Sequence, residues 1–174
     1  MVDTDIYKKL WYPQRYLAQY YSTKSVAEDE RHIIKFIISF LKNKKSRFNE
    51  IIEIGCGPTI HHILPFIPNV KKIFMADYVR SNLAEIDNWI EHNKNAHDWN
   101  NYVRGFLKLE KSDTLSLVKK RVQEFKKKLV KLVLCDILNK RPLLDKQLIG
   151  KVFSLVTSFY CLECATNSKR QWKK

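Results

Sequence analysis

Residues 51–59 read IIEIGCGPT. An apolar, isoleucine-rich run stops abruptly at Gly55-Cys56-Gly57-Pro58, the pattern of a buried strand entering a tight turn and then a helix. Glycines at such a turn let the backbone approach a ligand closely. The helix N-terminus beyond it offers unpaired N–H groups to a carboxylate or phosphate. The third glycine of the dinucleotide fingerprint is missing, which argues against a nicotinamide dinucleotide and for a ligand with a carboxylate at this end.

Working outward, residues 70–77 (VKKIFMAD) read as a second strand, 130–135 (VKLVLC) as a third and 152–158 (VFSLVTS) as a fourth. Helical spacing recurs between them. Residues 59–67 read as a short helix stopped before Pro68. Residues 79–93 turn Leu83, Ile86 and Ile90 inward, and 112–128 align Leu115, Val118, Val122, Phe125 and Leu129. Upstream, 13–21 (PQRYLAQYY) read as a short aromatic helix with Pro13 in its first turn. Residues 26–42 place Ile33, Ile34, Ile37, Ile38 and Leu41 on one face, while 96–110 are aromatic without a clear period. Strands alternating with helices predict an α/β fold, its parallel sheet covered on both faces. Residues 167–174 read as a helix just beginning, so the chain is expected to be one part of a longer product.

Asp77 closes the second strand, 22 residues beyond Gly55. A carboxylate at that spacing is placed to accept hydrogen bonds from ribose hydroxyls. Asp136 closes the third strand at the same edge, where it can accept from an exocyclic amine such as that of adenine. Three strand ends carrying such groups define the crevice in which open α/β sheets bind ligands.

Composition narrows the class. The chain has 174 residues, 45% of them hydrophobic, which is enough for one packed domain and excludes disorder or a disulfide-stapled mini-protein. Four cysteines are too few and too spread for a disulfide framework, so a reducing compartment is expected. The start, MVDTDIYKKLWYP, has no apolar run of signal-peptide length, and a cytoplasmic location is expected. The net charge is +14, with 14 basic and 12 acidic residues up to position 98 but 18 and 6 after it. Nucleic acid is a conceivable partner of such a half, yet Lys119–Lys131, with seven basic groups and one acidic, lacks interleaved stacking aromatics and reads as a solvated helix face. No metal centre is expected. Cys161-x-x-Cys164 has no second pair and reads as packed thiols, and His61-His62 lack ligand spacing on one helix face.

With these motifs the sequence resembles the class I S-adenosylmethionine-dependent methyltransferases, and among them the small-molecule group of nicotinamide, phenylethanolamine, indolethylamine and thioether methyltransferases. The segments that carry the likeness are YKKLWYPQRYLAQYY (7–21), EIGCGPT (53–59), ADYVRSNL (76–83), LCDIL (134–138) and VTSFYCLECA (156–165). The resemblance implies a Rossmann-like sheet in the order 3-2-1-4, comprising about four of the family's seven strands. It implies an N-terminal helical lid over 1–45 and a partial S-adenosyl-L-methionine domain over 46–174. It assigns Tyr7, Tyr16 and Tyr21 to the lid over the cofactor, and Gly55, Gly57 and Thr59 to the methionine moiety. Asp77 would meet the ribose, Tyr78 and Asn82 the neighbouring cofactor surface, Asp136 and Ile137 the adenine edge, and Thr157 the same site from the fourth strand. His61 stands where the family usually has tyrosine, and Cys56 where serine is more usual. The implied reaction is methyl transfer to a small-molecule amine by a protein that is monomeric at full length. The alternatives are a catalytically incomplete remnant that binds cofactor weakly or serves as an interaction module, and a nucleic-acid methyltransferase.

Overall fold

The computed structural model describes residues 10–22, 26–44, 47–112, 114–166 and 168–169. Two helices lead in: α1 (Pro13–Tyr20) and α2 (Glu28–Lys44). They are followed by β1 (Phe48–Ile54), a 3-10 helix (Leu64–Asn69) and β2 (Val70–Asp77). Then come α3 (Arg80–Ile90), α4 (Asn100–Leu109), α5 (Leu115–Lys128), β3 (Leu129–Leu134) and β4 (Leu155–Ser158). The four strands form one sheet in the order β3-β2-β1-β4, every neighbouring pair parallel.

The sheet is an α/β sheet of the expected kind, and its two faces differ. On one face Ile51, Ile73 and Met75 join Leu17, Ile34, Ile37, Leu83, Phe106 and Phe125 in a continuous core to which all five helices contribute. On the other, Ile52, Phe74, Ala76, Val133 and Cys135 meet Leu148. Among the described residues that second face is covered by the β3–β4 connection, which carries only a 3-10 turn at Lys146–Leu148, and not by an α-helix. The reason is chirality. β1 to β2 to β3 steps across the sheet in one direction, and right-handed crossovers place both connections on the same face. β3 to β4 steps back the other way and crosses on the opposite face.

Local differences from the expected elements have local causes. Residues 59–63 form turns rather than the start of an α-helix, because Pro65 has no N–H to donate and Pro68 follows it. The ambiguous aromatic stretch becomes α4, burying Tyr102, Val103, Phe106 and Leu107 behind Trp99. Leu115 is exposed, since the Thr114 side chain caps α5 and leaves its first residue outside the packed face. The basic run is only partly solvated. Arg121 pairs with Glu110 and donates to the Leu64 carbonyl, Lys126 reaches the Trp89 and Ile90 carbonyls, and Lys128 reaches that of Ile67. No helix among the described residues is long and apolar enough to cross a membrane.

The unequal faces predict unequal truncation costs. Phe106 is fully buried in the larger core, so Phe106→Ala should cost about 3–5 kcal/mol. Phe153, part-buried on the second face, should cost less than half of that. Urea unfolding midpoints of the two variants are the measurement, and equal costs would contradict the asymmetry.

Candidate functional site

The turn after β1 wraps over the end of β2. Gly55 N donates to the Ala76 carbonyl at 2.7 Å, and Cys56 N reaches the same oxygen at 3.1 Å. Gly55 and Gly57 both have positive φ, 71° and 59°, the left-handed region that favours glycine. Their surroundings differ. A Cβ on Gly55 would lie 2.1 Å from Cys161 Sγ, so this glycine admits the chain leaving β4. Among the described residues a Cβ on Gly57 would meet nothing within 4 Å, which leaves room over the turn at that position. Thr59 is buried, and its hydroxyl donates back to the Cys56 carbonyl at 2.8 Å, closing the turn on itself.

Asp77 is the hub. Its Oδ2 accepts from Gly57 N at 2.8 Å, and its Oδ1 accepts from Val79 N at 2.8 Å and Asn82 Nδ2 at 2.9 Å. Burial pushes its carboxyl above the usual range, and these three donors partly offset that. A carboxylate has about four acceptor sites, so one remains for a further hydroxyl. Asn82 passes the link on, because its Oδ1 accepts from Trp11 Nε1 ahead of α1. Gln14 on α1 likewise donates to Glu85 on α3 at 2.7 Å. The N-terminal segment is thereby docked on the helix that follows Asp77.

The other anticipated residues gather at the same sheet edge or near it. Tyr78 is half-buried beside Asp77. Asp136, one residue past Cys135, is half-buried, and its Oδ1 accepts only from Leu138 N among the described bonds. Ile137 packs against the second core, and Thr157 lies opposite Glu53 in the β1–β4 register. Tyr16 is part-buried, its ring 5.0 Å from that of Trp11 and 5.7 Å from that of Tyr21. Tyr21 is buried among His61, Trp99 and Tyr102, where burial raises its hydroxyl well above the tyrosine range. Tyr7 lies outside the described residues.

Sequence reasoning missed a second polar cluster next to these rings. Glu30 of α2, Glu53 of β1, and His61 and His62 of the turn are all buried. His62 Nε2 is 2.8 Å from Glu30 Oε2, and His62 Nδ1 is 3.5 Å from Glu53 Oε1. His61 Nε2 is 3.1 Å from Glu30 Oε2. Burial alone would lower His62, but the two carboxylates outweigh it and raise it to about 9. Burial, aided by the neighbouring His62 charge, takes His61 down to about 4. Burial would raise Glu30, and the two imidazoles instead hold it below the carboxylate range, whereas burial dominates at Glu53 and raises it. The helix-face argument against the histidine pair does not apply, because the pair sits on turns. The available signal was a glutamate inside the apolar run IIEI. The cysteines of Cys161-x-x-Cys164 part company: Cys161 packs over Gly55, and Cys164 is exposed.

The order β3-β2-β1-β4, a glycine turn closing β1 and carboxylates closing β2 and β3 define the first part of a class I methyltransferase domain. The sequence model of the NNMT/PNMT/TEMT family matches residues 1–174, and the chain belongs to that family. It is 29% identical to an indolethylamine N-methyltransferase of Mus musculus, over 91% of this chain and 60% of that protein. To a nicotinamide N-methyltransferase of Sus scrofa it is 33% identical, over 80% of this chain and 53% of that protein. A phenylethanolamine N-methyltransferase of Mus musculus is 25% identical over 67% of this chain and 39% of its own length. The chain thus spans little more than half the length of the first two relatives.

The Asp77 hub carries its own test. Asp77→Ala strands three donors, and should lower unfolding free energy by about 1.5–3 kcal/mol or more with no ligand present. Denaturant unfolding of the ligand-free chain measures this. An unchanged midpoint would mean that the carboxylate serves only a ligand.

Proposed function

We propose that this chain forms the cofactor-binding part of an S-adenosyl-L-methionine-dependent N-methyltransferase acting on a small-molecule amine of the nicotinamide or arylalkylamine kind. The observation that carries the reading is the crevice at the β1–β4 switch in strand order. There the open turn at Gly57, the Asp77 carboxylate and the Asp136 carboxylate stand at three strand ends along one edge. Relatives named for amine and nicotinamide methylation support the acceptor class.

The residues fit such a cofactor. The open space at Gly57 suits a ligand chain passing over the turn, and the one remaining acceptor site of Asp77 suits a ribose hydroxyl. In this reading Gly55, Gly57 and Thr59 shape the turn that holds the methionine end. Asp77 and Asn82 hold the ribose, and Tyr78, Asp136 and Ile137 hold the adenine. Thr157 lines the site from β4. Tyr16 and Tyr21 offer aromatic faces to a cation, which the ring quadrupole attracts. S-adenosyl-L-methionine supplies a methyl group on positively charged sulfur, already activated for transfer. The protein therefore has to hold two reactants in line and exclude water. Residues 1–45 act as the cap that does the excluding over the 46–174 domain, with Trp11–Asn82 and Gln14–Glu85 as its latch. The full-length protein works as a cytoplasmic monomer. Arg121 is paired with Glu110, and Lys126 and Lys128 are turned onto neighbouring carbonyls, which supports a structural role for this helix over a phosphate-binding one.

Calorimetric titration of the chain with S-adenosylhomocysteine tests the site. Asp136 makes few internal bonds, so Asp136→Ala should fold normally and weaken binding by about 1.5 kcal/mol, roughly tenfold. An unchanged dissociation constant would remove it from the site. Hydrogen exchange tests the cap: residues 13–21 should gain protection on binding, and equal protection in both states would leave those tyrosines as core only. Transfer of labelled methyl to nicotinamide and arylalkylamines, assayed with the full-length protein, tests the reaction.

A further inference from the structure

We infer that Glu30, His61 and His62 form a binding site for a divalent transition metal of the zinc class, with Glu53 and Tyr21 orienting its ligands. One potential donor atom from each of the three residues lies within 4.8 Å of the others. Glu30 Oε2 is 2.8 Å from His62 Nε2 and 3.1 Å from His61 Nε2. Donors around a four-coordinate zinc, at bonds of 2.0–2.1 Å, stand about 3.3 Å apart. Both Glu30 separations are within about half an ångström of that spacing, and the two imidazole donors lie within 4.8 Å of each other.

The internal bonding of the cluster is incomplete in the way a ligand would complete it. His61 is 1% exposed, and among the described residues neither ring nitrogen has a hydrogen-bond partner. Its Nε2 is close to Glu30 Oε2, but the angle is not that of a hydrogen bond. Two atoms near each other yet not aimed at each other are what two ligands of a common third atom look like. Glu53 Oε2 is also buried without a partner among the described residues. Buried polar atoms in this condition are rare and costly.

The surrounding contacts select the donor atoms. His62 Nδ1 faces Glu53 Oε1 at 3.5 Å, which can hold a proton on Nδ1 when an ion displaces the proton that Nε2 now shares with Glu30 Oε2 at 2.8 Å. Tyr21 donates its hydroxyl to Glu30 Oε1 at 3.4 Å, which leaves Oε2. Carboxylates and hydroxyls behind the ligands in this fashion fix tautomer and orientation in metal sites. Two imidazole nitrogens and one carboxylate oxygen suit Zn2+, Co2+ or Ni2+ rather than Mg2+ or Ca2+. Three protein ligands leave a further position for water or another donor. Such an ion would cross-link α2 to the turn after Gly57 and so join the N-terminal segment to the crevice wall.

The test uses the 174-residue chain freed of metal with a chelator, then titrated with Co2+ as a spectroscopic probe and with Zn2+. The expected results are one equivalent bound, a visible ligand-field spectrum without a thiolate charge-transfer band, and a melting temperature that rises with Zn2+. Glu30→Gln and His61→Gln should each weaken Zn2+ at least tenfold. Cys161→Ser/Cys164→Ser should bind as the parent does, which separates this site from the thiols. Absence of binding, a thiolate-type spectrum, or loss of binding only in the cysteine variant would overturn the assignment. The parent chain's cobalt spectrum decides the matter even where a cluster variant fails to fold.

Discussion

The three hydrogen bonds accepted by the Asp77 carboxylate tie together three parts of the chain at one point. Gly57 belongs to the turn after β1, Val79 to the start of α3 and Asn82 to its first turn. Through Asn82 the same network reaches Trp11 and so the N-terminal helices. One ionisable group thus positions the floor, one wall and the cap of the crevice. Such a carboxylate answers to the fold and to a ligand together. Its remaining acceptor site is already oriented, so a hydroxyl bound there would need little reorganisation.

A second ionisable group of structural weight sits only a few residues from that floor. Glu30, Glu53, His61 and His62 occupy a core otherwise built of isoleucine, leucine and aromatic rings. Burying four titratable side chains is costly unless charge and hydrogen bonds are matched. The matching here is good around His62 and poor around His61. The protein therefore holds a local imbalance against the glycine turn that follows β1. The His61 ring also lies 4.9 Å from that of Tyr21 in a tilted arrangement, which puts the cluster in contact with the aromatic side chains that follow α1.

Much of this architecture was legible in the chain. The strands could be placed because β-branched runs such as VKKIFMAD and VKLVLC stand between charged or glycine-rich borders, and Asp77 and Asp136 fall at or just past strand ends whatever the register. The glycine turn announced itself, although Gly55 makes room for Cys161 rather than for a ligand. What could not be read depends on distance. Glu30 and His62 lie 32 residues apart and meet through a turn created by Pro65 and Pro68, where helical periodicity carries no information. The charge pattern of α5 reads as a solvated face because the long stems that carry the ammonium groups of Lys126 and Lys128 across to neighbouring carbonyls leave no mark in it. Leu115 failed as a core residue for a simpler reason: Thr114 starts the helix there, and a first-turn residue need not face the sheet.

The place of β1 in the sheet has a kinetic consequence. On one side it pairs with β2, where Ile51 meets Ile73, 22 residues on. On the other it waits for β4, where the same Ile51 meets Leu155, 104 residues on. Closing the longer loop as an open chain costs about 1.4 kcal/mol more in entropy than closing the shorter one. The pairing of β1 with β2 is therefore expected to form before its pairing with β4, and β1 then carries one unsatisfied hydrogen-bonding edge through the early part of folding. During synthesis that edge stays bare until roughly a hundred further residues have left the ribosome. The interval in which this chain is most open to wrong pairing is thus set by the length of polypeptide that separates the two neighbours of a single strand.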